Sequence, residues 1–271
     1  MLRPRQVAVL LALTLMWGVN WPMMKYSLRE LSPLYFRAIT MSGGALTLYA
    51  FYRWGRGVDM RWPRAEWGRV ALLALPNIIG WHFCSIMGLH ALASGRAAIL
   101  GFTMPVWTVL ITLLLAHERP GLRVLGAAAA ALAAVLLLSW QELAQLAGRP
   151  LGVLWMQAAA LCWAAGTVMM RRTDSPMPTE AVTVWMMGLG AVFFWAVAPL
   201  AEATPHPAAW SAGLWASLVY GVFLNYGVAQ VIWFGMARSL PPSASAFSII
   251  DRKSTRLNSS HSQQSRMPSS A

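Results

Sequence analysis

Eight apolar runs, each about 20 residues long, restrict this chain to one kind of environment. A helix of that length rises by about 30 Å, the thickness of the hydrocarbon layer of a bilayer. Only 11% of the residues are charged, whereas a soluble domain typically has about 25%. Backbone groups in lipid must pair within their own segment, and the alternating dyads of a membrane barrel are absent. The sequence therefore predicts an all-α, multi-pass membrane protein.

The predicted spans follow one another through short loops. They run from about Val7 to Tyr26, Pro33 to Tyr52, Val70 to Leu89, Ala97 to Ala116, Leu122 to Trp140, Leu151 to Met170, Thr179 to Leu200 and Leu214 to Met236. No small-residue cleavage site follows the basic start and the first run, so we expect span 1 to be kept rather than removed as a signal peptide.

Basic residues are divided unequally between the two sides of the membrane. With the N-terminus inside, twelve lie in inner segments (Arg3, Arg5, Arg53, Arg56, Arg61, Arg64, Arg69, Arg119, Arg123, Arg171, Arg172 and Arg238) and four in outer loops (Lys25, Arg29, Arg96 and Arg149). This predicts a bacterial inner (plasma) membrane protein with a cytoplasmic N-terminus. The net charge of +12 then reflects topology, and the expected partners are the lipid bilayer and a small-molecule solute, with no nucleic acid. Nothing in the sequence indicates an oligomeric state.

An internal repeat relates the two halves of the chain. Residues 12–18, ending in Trp17-Gly18, resemble residues 158–164 around Trp163, Pro33 corresponds to Pro178, and Gly88 corresponds to Gly235. The offsets of 145 to 147 predict one repeat over residues 1–141 and a second over residues 150–250. Because the first repeat has five spans, an odd number, the second enters from the opposite side, as in many secondary transporters.

The C-terminal part departs from this pattern. A ninth span begins at Pro242 and stops at Ile250, so the second repeat is expected to be truncated. Residues 251–271 are rich in Ser, basic and poor in apolar residues, which predicts a disordered and non-native tail that resembles a translated sequencing adapter. The alternative is a natural cytosolic tail.

Several short motifs resemble the EamA repeat of the drug/metabolite transporter superfamily. They are Trp17-Gly18, the Pro33-to-Arg37 entry to span 2, the small-residue approach to Pro105, His117-Glu118-Arg119, Trp163 and the turn at Arg238. The resemblance implies ten helices in two inverted five-helix repeats, of which about eight are complete here with a partial ninth. It also implies export or exchange of small metabolites, often amino acids, through a central cavity with alternating access.

The positions of the acids and cysteines, together with the motifs that are missing, argue against several other kinds of functional site. All nine acids are expected in loops or the tail, which either argues against a strongly cation-coupled mechanism or moves the coupling to a histidine or to the missing region. No nucleotide-binding or metal-ligand motif is present, so no cofactor and no metal are expected. Cys84 and Cys162 lie in apolar runs and are expected to be small core residues. An intramembrane enzyme using His82 and Ser85 lacks any supporting motif, and a non-transporting membrane scaffold or inactive product remains the other alternative.

Arg37 and His82 are the titratable groups that lie deepest in the predicted spans. Arg37 lies about one turn inside span 2, where it either contacts a substrate carboxylate or extends to the outer headgroups. His82 either binds substrate or a proton, or packs as a satisfied histidine.

Polar and aromatic residues define three candidate faces of the cavity. The faces are Asn77, Trp81, Ser85 and Gly88 on span 3; Tyr226, Gln230 and Trp233 on span 8; and Trp17, Asn20 and Trp21 on span 1, with Trp163 as the counterpart of Trp17. Helix–helix hydrogen bonding and core packing are the alternatives. Pro105 is expected to bend span 4, as a hinge or a static kink. The Arg53-to-Arg69 loop is interpreted as a topology signal near anionic lipid rather than as a ligand site.

Overall fold

The computed structural model describes residues 4–116 and 150–232, with six isolated helical positions between them at 122, 125, 126, 129, 130 and 133. The described residues contain helices and no strands, as the sequence predicts. The predicted ninth span, Trp233, the tail and most of span 5 lie outside them.

The α-helices of the described residues follow the predicted spans closely. They are α1 (Pro4–Ser27), α2 (Pro33–Ala50), α3 (Trp67–Ala74), α4 (Trp81–Ala91), α5 (Ser94–Gly101), α6 (Met104–Ala116), α7 (Pro150–Arg172), α8 (Thr179–Ala201) and α9 (Ala212–Val219). Shorter helical segments are the π-helical Phe51–Gly55, Leu75–Gly80 and Tyr220–Val228 and the 3₁₀ turns Arg64–Glu66 and Pro207–Ala209.

Five helical stretches of the described residues are long and apolar enough to cross a membrane: Arg64–Ala91, Ser94–Thr112, Pro150–Met170, Thr179–Ala201 and Ala212–Ile232. Large apolar side chains on their outer surfaces are exposed, as at Val192 and Leu200 of α8. Exposed apolar surface of this extent suits lipid and not water. The chain is therefore an all-α, multi-pass membrane protein.

The repeat is visible in the helix boundaries. The eight-residue helices α3 and α9 begin at Trp67 and Ala212, 145 positions apart, and each continues directly into a π-helical segment. A π-helical segment of this length is rare in proteins. Its occurrence at the same offset in both halves shows that they share one local structure.

Helices α2 and α8, which occupy the same place in the two repeats, pack against each other more extensively than any other pair of described helices. Glu202, just after the end of α8, accepts hydrogen bonds from the first amides of α2 at Leu34 (2.9 Å) and Tyr35 (3.2 Å). Trp185, near the start of α8, donates from Nε1 to the carbonyl of Met60, beyond the end of α2 (2.9 Å). The two helices therefore run antiparallel, which is the relationship expected of an inverted repeat.

At each end of α2, a glutamate of the first repeat accepts a hydrogen bond from a serine of the second repeat. Before α2, Glu30 accepts from the hydroxyl (2.6 Å) and the amide (2.9 Å) of Ser211, the N-cap of α9. After α2, Glu66 accepts from the hydroxyl of Ser175 (3.0 Å) and pairs with Arg69 (2.6 Å). Ser175 lies 145 positions after Glu30, and Ser211 lies 145 positions after Glu66, so the two contacts are related by the repeat.

Two glycines of α2 allow the π-helical segment Tyr220–Val228 to approach closely. An added Cβ at Gly44 would lie 2.5 Å from Cβ of Tyr226, and one at Gly43 would lie 2.6 Å from Val222. In α8, Gly190 is similarly enclosed by Ile78 and Met41, whereas a Cβ at Gly188 would meet nothing within 4 Å. Three of these glycines therefore allow close helix packing, and Gly188 is the exception.

The positions of two acids differ from the sequence-based expectation. Glu180 lies in the first turn of α8 and Glu66 in the 3₁₀ turn leading into α3, and both are buried, so the acids are not confined to loops. Cys84 is buried on α4 and Cys162 is half-buried on α7, and both are free cysteines.

Candidate functional site

Arg37 is buried between three elements of the fold. It lies in the second turn of α2 and only 3% of its surface is exposed. A guanidinium that extends to the headgroups keeps its charged end at the surface. The burial of Arg37 therefore excludes that alternative in this conformation.

Both terminal nitrogens of Arg37 donate hydrogen bonds to neutral hydroxyl groups. Nη1 donates to Oη of Tyr226 (3.2 Å) and Nη2 donates to Oγ of Ser85 (3.3 Å). Each hydroxyl then reaches His82: Tyr226 Oη lies 3.3 Å from Nδ1, and Ser85 donates to the His82 carbonyl (3.3 Å). Tyr226 Oη, which accepts from Arg37, either donates to Nδ1 or accepts from it, according to the tautomer of His82.

We refer to Arg37, His82, Ser85 and Tyr226 as the polar cluster. They come from α2, α4 and the segment Tyr220–Val228, and so from both repeats. All four are candidates from the sequence, and the structure brings them together. The close approach of Tyr226 depends on Gly44, because a side chain at that position would displace the tyrosine.

The positive charge of the polar cluster has no acidic partner among the described residues. The ion pairs of the described part of the chain are Arg61–Asp59 and Arg69–Glu66, both away from Arg37. The Nε atom of Arg37 is buried and has no hydrogen-bond acceptor in the described structure. A buried cation held only by neutral groups, with a donor unused, is chemically suited to an anion.

The predicted single face of span 3 is divided between two neighbours. Asn77 donates to the Leu73 carbonyl (2.9 Å) and packs on Gly166 of α7, and the ring of Trp81 contacts that of Trp163, also on α7, at 5.1 Å. Ser85, in contrast, faces α2. Asn77 lies within the π-helical segment Leu75–Gly80, whereas Trp81 and Ser85 both follow it on α4.

The remaining candidates lie apart from the polar cluster. On α1, Asn20 donates to the sulfur of Met24 (3.6 Å), Trp21 packs near Gly101, and Trp17 is partly exposed. Pro105 is exposed, and Gln230 is half-buried. Trp233 lies outside the described residues. The cavity roles of these residues remain predictions.

Span 4 is interrupted near Pro105. Gln157, which the sequence analysis did not single out, accepts hydrogen bonds from residues at the interruption. Helix α5 ends at Gly101 and α6 begins at Met104, one residue before Pro105. Between them, Thr103 donates to Oε1 of Gln157 on α7 (3.2 Å), which also accepts from Nε1 of Trp107 (3.0 Å). The sequence signal for Gln157 was its position as a lone amide in an otherwise apolar span.

The described residues contain no group of three or more His, Cys, Asp or Glu arranged to hold a metal ion. The chemistry available in the polar cluster is charge-assisted hydrogen bonding to an anionic group. Nothing in its geometry positions a nucleophile against a base with a bound electrophile between them.

Comparisons with known proteins agree with this architecture. The model of the EamA-like transporter family matches the chain twice, over residues 5–140 and 150–250. Two similar proteins of Bacillus subtilis (strain 168) are the uncharacterized transporter YoaV, 22% identical over 89% of this chain and 82% of its own length, and the uncharacterized transporter YvbV, 30% identical over 69% of this chain and 61% of its own.

A solved crystal structure shares the fold with a TM-score of 0.61 at 22% identity, covering 86% of this chain and 78% of the other. The family matches cover both repeats and most of the chain. The chain belongs to the EamA-like transporter family, and it is a multi-pass membrane transporter.

Proposed function

We propose that this protein exports or exchanges small, amino-acid-like organic solutes that have a carboxylate, by alternating access between its two repeats. The observation that supports this proposal is the burial of Arg37 without an acidic partner in the described structure. The carboxylate of the solute would be the counter-ion of the guanidinium.

The energetics of a buried cation favour such a role. Placing an arginine at the centre of a membrane helix costs about 2.5–3.5 kcal/mol or more, and arginines in spans are typically functional or paired. The hydroxyls of Ser85 and Tyr226 solvate part of the charge but do not neutralise it. A carboxylate can accept two N–H bonds from one guanidinium, which a hydroxyl cannot.

The polar cluster contains residues of both repeats, and this supports alternating access. Arg37, His82 and Ser85 belong to the first repeat, and Tyr226 belongs to the second. Movement of one repeat against the other changes the distance between Arg37 and Tyr226, and so frees donors for a solute. With Arg37 almost fully buried, the present conformation is closed around the cluster, and substrate entry requires such a movement.

The proposed location is the inner (plasma) membrane of a bacterium, with the N-terminus in the cytoplasm. The excess of arginine in alternate loops supports this orientation. Labelling of single cysteines placed after Ser27 and after Gly55 with a membrane-impermeant reagent in intact cells would test it, because only the site after Ser27 should react.

The test of function compares a solute that has a carboxylate with related solutes that lack it. Full-length protein in liposomes would be loaded with an amino acid, its amide and its decarboxylated amine, and efflux of each would be measured. Efflux of the amino acid alone, abolished by Arg37→Gln, supports the proposal. Arg29→Gln is the matched control, because it removes the same charge at an exposed position. The guanidinium of Arg29 lies over the ring of Tyr26, outside the polar cluster. Equal efflux of amino acid and amide, or no effect of Arg37→Gln, would contradict it.

A further inference from the structure

A cavity lies at the C-terminal end of α2, away from the polar cluster. It has a volume of about 420 Å³ and lies between the end of α2, the start of α8 and the loop of residues 56–63. Its lining includes Arg53, Arg61, Trp62 and Trp185. The sequence analysis interpreted this loop as a topology signal only.

The loop that forms the cavity is fixed in place although it contains no regular helix. Gly57 has a φ of 64°, which L-residues with a Cβ rarely adopt, and this allows the chain to turn back after α2. The amide of Val58 donates to the Tyr52 carbonyl (2.9 Å), and Met60 is buried with its carbonyl bound by Trp185. The cavity is therefore a built feature of this conformation.

Aromatic rings form one wall of this cavity. The rings of Trp62 and Trp185 stack at 5.0 Å with an interplanar angle of 27°, and Tyr49 meets Trp185 edge-on at 6.1 Å. Trp54, beside this wall, is 77% exposed. Tryptophan and tyrosine in this arrangement are typical of the boundary between hydrocarbon and headgroups.

The charge of the lining is positive. Asp59 is already engaged by the side chain (3.6 Å) and the amide (3.0 Å) of Arg61, whereas Arg53 adds a second guanidinium with no acid paired to it in the described structure. Arginine is the side chain best suited to phosphate, because its planar fork matches two phosphate oxygens.

The repeat provides an internal comparison for these arginines. The positions 145 residues after Arg53 and Arg61 are Ala198 and His206, in the equivalent part of the second repeat. The second repeat forms the same two helices without arginine at either position. The helical hairpin itself therefore does not require the two guanidinium groups.

We propose that this cavity binds a phosphate group, supplied either by the headgroup of an anionic phospholipid or by a soluble phosphate ester. The phosphate pairs with Arg53 and Arg61, and the glycerol or acyl portion lies against the aromatic wall. The position at the end of a membrane helix favours the lipid as the source.

Thermal unfolding of the purified full-length protein in detergent tests this site. The probes are dihexanoyl phosphatidylglycerol, dihexanoyl phosphatidylcholine and glycerol phosphate. We expect a saturable rise in unfolding temperature with phosphatidylglycerol and none with phosphatidylcholine. The double variant Arg53→Gln/Arg61→Gln should weaken phosphatidylglycerol binding by about tenfold or more, because each lost pair is a charge-assisted contact.

The matched control is Arg56→Gln/Arg64→Gln, which removes the same charge from neighbouring positions that are also exposed but do not line the cavity. This control should bind phosphatidylglycerol within about twofold of the native chain, since a surface charge that makes no direct contact with the phosphate contributes little. Saturable binding of glycerol phosphate with the same dependence on Arg53 and Arg61 supports a soluble ester as the source. Equal weakening in both double variants, or equal binding of phosphatidylcholine, overturns the proposal.

Discussion

Replacing Arg37 by glutamine separates a role in solute binding from a role in holding the fold. Glutamine removes the positive charge and keeps an amide that can still donate to Ser85 or Tyr226. If Arg37 belonged to a structural ion pair, losing it would leave a buried acid alone and destabilise the protein by about 3–5 kcal/mol. The described structure contains no such acid.

The expected change in stability is therefore small. Two hydrogen bonds from a charged donor, at 3.2 and 3.3 Å, are each worth about 1.5–3 kcal/mol. Their loss is offset by relief of the burial of an uncompensated cation, which costs several kcal/mol. We expect Arg37→Gln to change the free energy of unfolding by no more than about 2 kcal/mol, and it can be stabilising.

The expected change in solute binding is large. Truncating one partner of a buried, hydrogen-bonded charge pair costs about 2–5 kcal/mol, which lowers affinity roughly 30-fold or more. The assay is unfolding with and without a carboxylate solute, together with efflux from liposomes. Native protein should be stabilised by the solute, and Arg37→Gln should not. A loss of stability of more than about 3 kcal/mol, with equal loss of transport for charged and neutral solutes, would refute the reasoning.

Two further predictions concern packing and pH. Gly44→Ala should lower the unfolding temperature by the equivalent of about 1–3 kcal/mol, because its Cβ would overlap Tyr226, whereas Gly188→Ala should be neutral or slightly stabilising; equal effects would contradict the packing described. The hydrogen bonds from the side chain and the amide of Ser211 hold the pKa of Glu30 below its ordinary value of 4.5. Glu30 therefore adds stability above that pH, and this is lost as the pH falls through the lowered pKa. Ser211→Ala should unfold at a lower temperature than native protein at neutral pH, with the difference shrinking in acid; a constant difference across the titration would contradict it.

The membrane spans could be predicted because length and apolar composition alone determine which segments cross a bilayer. The π-helical segments at Leu75–Gly80 and Tyr220–Val228 could not, because a π turn and an α turn differ in pairing and not in hydropathy. This matters for the site, since Asn77 lies inside the segment Leu75–Gly80, where the residue spacing of an α-helix does not apply, although that spacing predicted one face shared with Ser85.

The polar cluster was predictable in its members but not in its contacts. Arg37 and Tyr226 are 189 positions apart, and only the packing of α2 against the last described span determines that they meet. From the sequence alone, the Arg37 side chain could lie either at the lipid headgroups or in the cavity. The phosphate cavity was missed for a similar reason: its wall requires Trp62 to stack on Trp185, which belongs to the other repeat.

The glutamate–serine contacts at the two ends of α2 also determine which halves can associate. The first half supplies both acids, Glu30 and Glu66, and the second half supplies both hydroxyls, Ser175 and Ser211. If two copies of the first half were paired in the same way, a glutamate would face a glutamate at both contacts. If two copies of the second half were paired, a serine would face a serine, and neither contact would have a carboxylate as hydrogen-bond acceptor. The two contacts therefore favour pairing of the unlike halves over pairing of two like halves.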